Sequence, residues 1–124
     1  MILVDSSIWI DHLRLTNAHL VLALAERRVL QHPFVTAELA LGSIRDRARL
    51  VTMLRLLPQA NVIEDDKLYD YIDECRLFGT GIGMVDVHLL ASAADKTGIV
   101  LWTRDRKLSE QAARLSLNYV ESGT

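Results

Sequence analysis

Short apolar runs that alternate with longer helical segments are the feature that most constrains the fold of this chain. Ile2–Val4, Val29–Leu30 and Ile99–Thr103 are each too short to form a helix and predict strands. Between them, apolar residues recur at helical spacing. Strands that alternate with helices are typical of a parallel sheet covered by helices, so the pattern predicts the α/β class, with an α/β sandwich around a parallel sheet.

The remaining segments complete this alternation. Two more strands are predicted at Val62–Ile63 and near Leu117–Val120. Helices are predicted after caps, prolines and acidic starts, over residues 6–14, 17–28, 33–41, 46–57, 64–78, 84–96 and 106–115. The glycine-rich run at residues 79–83 lacks the lysine of a phosphate-binding loop and predicts a flexible turn that brings Asp86 towards a site.

Size and composition narrow the class of protein. A length of 124 residues predicts one domain, over residues 1–124. A formal charge of −2 provides no global basic field for nucleic acid or membrane, so contacts with a polyanion must be local. A single cysteine excludes an intrachain disulfide. No apolar stretch is long enough for a membrane helix and no signal peptide is evident, so we expect a cytoplasmic protein without membrane contact.

Two of the 16 acidic residues stand where strands end. Asp5 directly follows the first strand, and Asp105 lies just beyond Ile99–Thr103. Ligands of open parallel sheets bind outside the carboxyl ends of the strands, so both carboxylates are expected at the functional edge. Most other acids have polar neighbours and are expected in solvent, including the helix face formed by Asp66, Asp70 and Asp73.

Two further acids have apolar neighbours on their helices. Glu38 is expected on the apolar stripe of its helix, with Phe34 and Val35 one turn before it. Asp86 lies in a first helical turn, roughly opposite a predicted polar face that consists of His88, Ser92, Asp95 and Lys96. Taken singly, each of the four acids has a simpler interpretation as a helix charge, a cap or an ion-paired side chain.

Taken together, the four acids indicate a cation site. Two unit charges 4 Å apart repel by roughly 4 kcal/mol at an effective dielectric of 20, so an inward acidic cluster requires positive charge. A divalent metal supplies that charge economically, and all-oxygen ligands favour Mg²⁺ or Mn²⁺ over zinc.

Four segments resemble the PIN-domain family, and within it the VapC-type toxins of toxin–antitoxin pairs. They are VDSSIWID, TAELALG, GMVDVHLLASA and LWTRDRKL, in family order across nearly the whole chain. The resemblance implies a three-layer α/β/α fold and an Mg²⁺- or Mn²⁺-dependent endoribonuclease that hydrolyses RNA with metal-activated water. It also implies a homodimer and a small inhibitory antitoxin of the VapB type.

The resemblance also implies functional residues. The catalytic and metal-binding acids of the family fall on Asp5, Glu38, Asp86 and Asp105, and the accompanying hydroxyl positions fall on Ser7 and Thr103. Basic residues beside the expected pocket are candidates for RNA contact, namely Arg104, Arg106 and Lys107. A second basic cluster is less strongly indicated, at Arg45, Arg47 and Arg49. Solvated faces or antitoxin contacts are the alternative interpretation of both clusters.

Other residue types offer no competing chemistry. The four histidines show no metal-binding spacing, and Ser6 and Ser7 lack the surroundings of a nucleophilic serine. Trp9 and Trp102 are expected in the core or at a dimer contact, with base stacking a lesser alternative. Two alternative functions remain open: a PIN-like nuclease of RNA or DNA processing without a toxin role, and a non-catalytic module that binds a metal or a partner.

Overall fold

The computed structural model describes residues 1–121. Three strands and seven helices follow one another along this part of the chain. Their bounds are β1 Ile2–Val4, α1 Ser6–Arg14, α2 Ala18–Ala25, β2 Val29–Leu30, α3 Pro33–Ala40, α4 Arg47–Leu56, α5 Asp65–Glu74, α6 Met84–Ala94, β3 Val100–Trp102 and α7 Arg106–Arg114.

The three strands form one parallel sheet in the order β2-β1-β3. In the register of β1 with β3, Val4 lies opposite Trp102, so the two strands end side by side. All three residues of β1 are buried although their side chains alternate between the faces of the sheet, which requires cover on both faces. The predicted α/β class, with helices around a parallel sheet, is confirmed.

Two predicted strands are wrong. Val62–Ile63 is irregular, because the chain pairs with the sheet earlier, immediately after Pro58 ends α4. At that point Gln59 forms a single parallel bridge with Gln31, and Val62 is exposed. The segment at Leu117–Val120 is reduced to one bridge, between Asn118 and Leu101. Asparagine is unfavourable in strands, which is consistent with so short a pairing.

Several helices are shorter than predicted because a residue with left-handed backbone stops them. Arg27, Arg76 and Ser116 have φ values of 56°, 52° and 58°, and they follow the ends of α2, α5 and α7. None of the three is glycine, so the usual sequence signal for a helix stop is missing.

The hydrophobic core includes residues from all three strands and all seven helices. Trp9 and Trp102 are 1% and 3% exposed, as expected for core residues. No helix among residues 1–121 combines the length and the apolar character needed to cross a membrane.

Helix α6 differs from the prediction in half of its predicted polar face, because His88 and Ser92 are buried, whereas Asp95 and Lys96 are exposed. His88 is 6% exposed and Ser92 is 2% exposed. The Ser92 hydroxyl donates to the backbone carbonyl of Asn61 at 2.7 Å, and the His88 ring packs edge-on against Phe34 with centroids 4.7 Å apart. A hydroxyl that finds such a partner can be buried at modest cost, whereas His88 Nδ1 has no hydrogen-bond partner among residues 1–121, and a helical wheel reveals neither.

His32 is a second buried imidazole and begins α3. Its Nδ1 accepts the N–H of Phe34 at 3.0 Å, so its proton resides on Nε2, which is buried and has no hydrogen-bond partner among residues 1–121. Burial, and secondarily the neighbouring His88, lowers the pKa of His32 from 6.5 to about 4. The folded protein therefore holds this ring neutral over a pH range in which the unfolded chain protonates it.

We predict that this neutral imidazole makes the protein acid-labile. The unfolded chain binds the extra proton, so stability is complete above pH 6.5 and is lost as the pH falls towards about 4, by on the order of 3 kcal/mol for this group. His32→Asn keeps a side-chain acceptor for the helix start but cannot titrate, so urea unfolding from pH 4 to 7 should show a flatter pH dependence. His12→Asn is the matched control, because Nδ1 of His12 also accepts a backbone N–H.

Candidate active site

Asp5 lies where the central strand ends. Its backbone N–H donates to the carbonyl of Trp102 at 3.0 Å and so continues the pairing of β1 with β3. Its carboxylate then caps α1 and accepts the N–H of Ser6 at 2.8 Å. The residue is only 5% exposed. Strand pairing on one side and helix capping on the other thus fix this carboxylate at the carboxyl edge of the sheet.

Two hydroxyl groups donate hydrogen bonds to one oxygen of this carboxylate. Ser7 Oγ and Thr103 Oγ1 donate to Asp5 Oδ2 at 2.9 and 2.7 Å. Both hydroxyls also accept backbone N–H groups, Ser7 from Arg104 at 2.9 Å and Thr103 from Asp105 at 3.0 Å. Each hydroxyl therefore connects Asp5 to the segment that follows β3.

Asp105 and Asp86 lie at the beginnings of two other helices. The Asp105 carboxylate caps α7 by accepting the N–H of Leu108 at 2.8 Å, and the residue is exposed. Asp86 is half-buried in the first turn of α6, where its carboxylate accepts the N–H of Gly83 at 3.2 Å. Because Asp5 caps α1, three of the four acids lie at helix N-termini, whose dipoles partly offset their negative charge.

Glu38 lies in α3, but not on the apolar stripe that the sequence predicted. The buried face of α3 consists of Val35, Thr36 and Leu39, and Glu38 is exposed. Its carboxyl group is nevertheless partly desolvated. This desolvation, followed by the charges of Asp5 and Asp86, raises the pKa of Glu38, while the Ser6 hydroxyl acts in the opposite direction.

The pKa of Asp86 is raised as well. Burial is the main cause, and the charges of Asp5 and Asp105 add to it, against the hydrogen bond from Gly83. Through these repulsions each of the four acids acts on at least one other. The structure therefore brings Asp5, Glu38, Asp86 and Asp105 into one electrostatically coupled group, with Ser7 and Thr103 in direct contact with Asp5.

The oxygen atoms of this group are suitable ligands for a hard cation, but the side chains are not close enough together to bind one. Among residues 1–121, no three His, Cys, Asp or Glu side chains are arranged so that they hold a metal ion. The donors are all carboxylate or hydroxyl oxygens, and the pKa values of Glu38 and Asp86 are raised, first by desolvation and then by the charges of the neighbouring acids. Both properties fit Mg²⁺ or Mn²⁺, which would draw the carboxylates together.

Two of the basic residues near the site form ion pairs with acidic side chains. Arg104 is paired with Asp11 and Glu121 at 3.4 and 3.1 Å, and Arg106 with Glu110 at 3.1 Å. Lys107 lies over the turn before α6. A Cβ at Gly81, where φ is +84°, would be 3.0 Å from Lys107 Nζ.

The second basic cluster is arranged differently. Arg45, Arg47 and Arg49 are exposed on the connection into α4 and on its first turn. Helix α4 packs mainly against α3. Among the described residues, this cluster therefore lies on a different element from Arg104, Arg106 and Lys107.

Sequence reasoning missed two residues at this site. Ser6 Oγ is 3.4 Å from Asp5 Oδ1 and lowers the pKa of Glu38 by hydrogen bonding, but the sequence pattern predicts no role for it at the carboxylates. Glu121 is one of the acids whose polar neighbours predict a position in solvent, yet it is half-buried and accepts the indole N–H of Trp102 at 3.0 Å. The only signal for Ser6 was its position after Asp5, and Glu121 had none, because its partners are distant in sequence.

Comparison with known proteins identifies the relatives of this chain. The sequence model of the PIN domain matches residues 2–114. Ribonuclease VapC32 of Mycobacterium tuberculosis, from strains CDC 1551 / Oshkosh and H37Rv, is 42% identical over 121 residues, which cover 98% of this chain and 98% of the relative.

We predict that Asp86→Asn stabilises the metal-free protein. Because the pKa of Asp86 is raised, the folded state binds this proton more tightly than the unfolded chain, and stability falls as the pH rises through that pKa. Asparagine removes the charge and can still accept from Gly83. With chelator at pH 7 we expect a gain of about 1 kcal/mol, or about 3–6 °C in Tm.

The matched control for this prediction is Asp66→Asn. Asp66 is an exposed acid in the first turn of α5, where loss of charge should leave Tm unchanged or slightly lower. Equal Tm changes in the two variants would show that burial and the neighbouring acids do not destabilise the ionised Asp86 carboxylate.

Proposed function

This chain belongs to the PIN-domain family, and from that premise we propose that it is a metal-dependent endoribonuclease and the toxin of a toxin–antitoxin pair. The observation that carries the proposal is the group of four coupled acids around the buried Asp5 carboxylate at the edge of the sheet. The extended similarity to proteins named Ribonuclease VapC32 supports RNA as the substrate.

The cation proposed for this site is Mg²⁺ or Mn²⁺. Asp5 and Asp86 would hold it directly, and Glu38 and Asp105 would hold it directly or through water. When bound, such a cation polarises the scissile phosphate, activates water and offsets charge on the leaving oxygen.

The other residues of the site orient these acids. Ser7 and Thr103 fix the orientation of the Asp5 carboxylate through their hydrogen bonds to Oδ2. The other oxygen, Oδ1, therefore has a fixed position relative to the cation site. Glu38, whose pKa is raised, is suited to orient the attacking water and to accept its proton. Asp105 remains fixed by its cap on α7.

Lys107 is the best placed of the three candidates for RNA contact. Arg104 and Arg106 already have carboxylate partners, whereas Lys107 extends over the turn that leads to Asp86. An ammonium group there would bind a backbone phosphate without reading the base. We include all three residues in the proposed RNA-contact surface, with Lys107 as its main member.

The proposal includes the partners and the setting. We propose that residues 1–124 form one domain that acts in the cytoplasm as a homodimer. A small VapB-type antitoxin would inhibit it near the acidic site.

We predict that Asp5→Asn abolishes RNA cleavage and leaves the fold intact. Asparagine has the same shape, and the hydroxyls of Ser7 and Thr103 can accept from its amide as well as donate to its oxygen. The assay is incubation of total cellular RNA with Mg²⁺, with and without chelator, followed by mapping of the cut ends. Circular dichroism checks the fold, and Asp70→Asn on the exposed face of α5 is the control with the same chemical change.

The outcomes of these experiments distinguish the candidate functions. Chelator-sensitive cleavage that is lost only in Asp5→Asn supports the proposed ribonuclease, whereas an Asp5→Asn protein that cuts at the wild-type rate contradicts it. Absence of cleavage in the wild type, with metal still bound, favours a non-catalytic module. Growth arrest on expression, relieved by a small protein encoded beside the gene, distinguishes a toxin from a nuclease of RNA or DNA processing.

A further inference from the structure

Glu121 connects the end of the described chain to the segment after β3. Its Oε1 accepts the indole N–H of Trp102 at 3.0 Å and lies 3.1 Å from Arg104 Nη1. Its Oε2 lies 3.9 Å from His19 Nε2 on α2. The side chain is 31% exposed, so this carboxylate makes its contacts in a partly desolvated position. None of these contacts belongs to the proposed catalytic acids.

Arg104 in turn lies along one face of α1. Its backbone N–H donates to Ser7 Oγ at 2.9 Å, and its Nε lies 3.4 Å from Asp11 Oδ2. Ser7 and Asp11 are four residues apart, which places them on the same face of the helix. The main chain and the side chain of Arg104 therefore dock on α1 together, while Glu121 holds the guanidinium from the other side.

This docking fixes the two residues on either side of Arg104. Thr103 donates to the Asp5 carboxylate, and the N–H of Asp105 donates to Thr103 Oγ1. A shift of Arg104 would move both contacts, because the three residues are consecutive in the short connection between β3 and α7.

We propose that Arg104 and Glu121 are positioning residues, which clamp the segment 103–105 onto α1. They thereby keep Thr103 and Asp105 correctly placed relative to Asp5. This inference rests on the proposed function, since the geometry it protects is that of the metal-dependent site. An exposed ion pair contributes little by itself. Here, however, one guanidinium joins two carboxylates and one of these also binds a buried indole, so the contacts reinforce one another.

The test is Glu121→Gln in the full chain. Glutamine can still accept from Trp102 but loses the charge that holds Arg104. We expect kcat for RNA cleavage to fall about 10-fold with KM within about two-fold, and the dissociation constant for Mn²⁺, measured by electron paramagnetic resonance, to rise about 10-fold. Hydrogen exchange of the Arg104 amide should be about 10-fold faster, because its bond to Ser7 opens more often.

Two further variants make this test specific. Glu26→Gln is the matched control, because it breaks another exposed carboxylate–arginine pair, with Arg28 at 3.4 Å, and should change none of the three quantities. In an Arg104→Gln background, the addition of Glu121→Gln should have no further effect on them, because both changes remove the same contact.

The outcomes separate the clamp from the proposed function. If wild-type protein neither binds Mn²⁺ nor cleaves RNA, the proposed function fails, and the exchange of the Arg104 amide still tests the clamp. If wild type is active and Glu121→Gln matches it in kcat, Mn²⁺ affinity and exchange, the clamp is wrong. If Glu121→Gln lowers KM with unchanged kcat, Glu121 withholds Arg104 from RNA and the positioning role is overturned.

Discussion

The hydrogen bonds on the Asp5 carboxylate are the interaction on which the rest of the site depends. A carboxylate that is 5% exposed must have its oxygens satisfied, and here a backbone N–H and two hydroxyls do so. The hydroxyls come from α1 and from the segment after β3. The hydrogen bonds that satisfy this buried carboxylate therefore connect the end of β1 to α1 and to the segment after β3.

A second constraint is the accumulation of negative charge around this point. Desolvation, and secondarily repulsion between the acids, raises the pKa values of Glu38 and Asp86, so the metal-free site is under electrostatic strain. Helix N-termini beneath Asp5, Asp86 and Asp105 relieve part of this strain. A divalent cation would neutralise the negative charge that remains. The same electrostatic strain would therefore favour binding of the cation and lower the stability of the metal-free protein.

The sequence predicted those parts of the structure that depend on local pattern. Asp5 and Asp105 were located from the rule that parallel strands end at one edge, and the α/β class followed from the alternation of strands and helices. The PIN-family resemblance is likewise confirmed by the family match over residues 2–114. The assignment of catalytic roles to individual acids remains a proposal.

What the sequence did not predict depends on contacts between distant residues. Helix α6 buries His88 and Ser92 because Phe34 and the carbonyl of Asn61 are available to them, and no helical wheel contains that information. Glu38 reaches the site from an exposed face, since its neighbours there belong to other elements. Glu121 is engaged by Trp102 and Arg104, 19 and 17 residues earlier in the chain, as their numbering shows.

The central claim is that these four acids form one cation site, and it can be tested without any assay of activity. Substoichiometric Mn²⁺ added to isotope-labelled protein broadens the backbone amide signals nearest to the ion. The account predicts that broadening begins at Ser6, at residues 83–86 and at Asp105. Broadening centred instead on the exposed acidic face of α5, at Asp66, Asp70 and Asp73, or spread evenly over the surface, would contradict it.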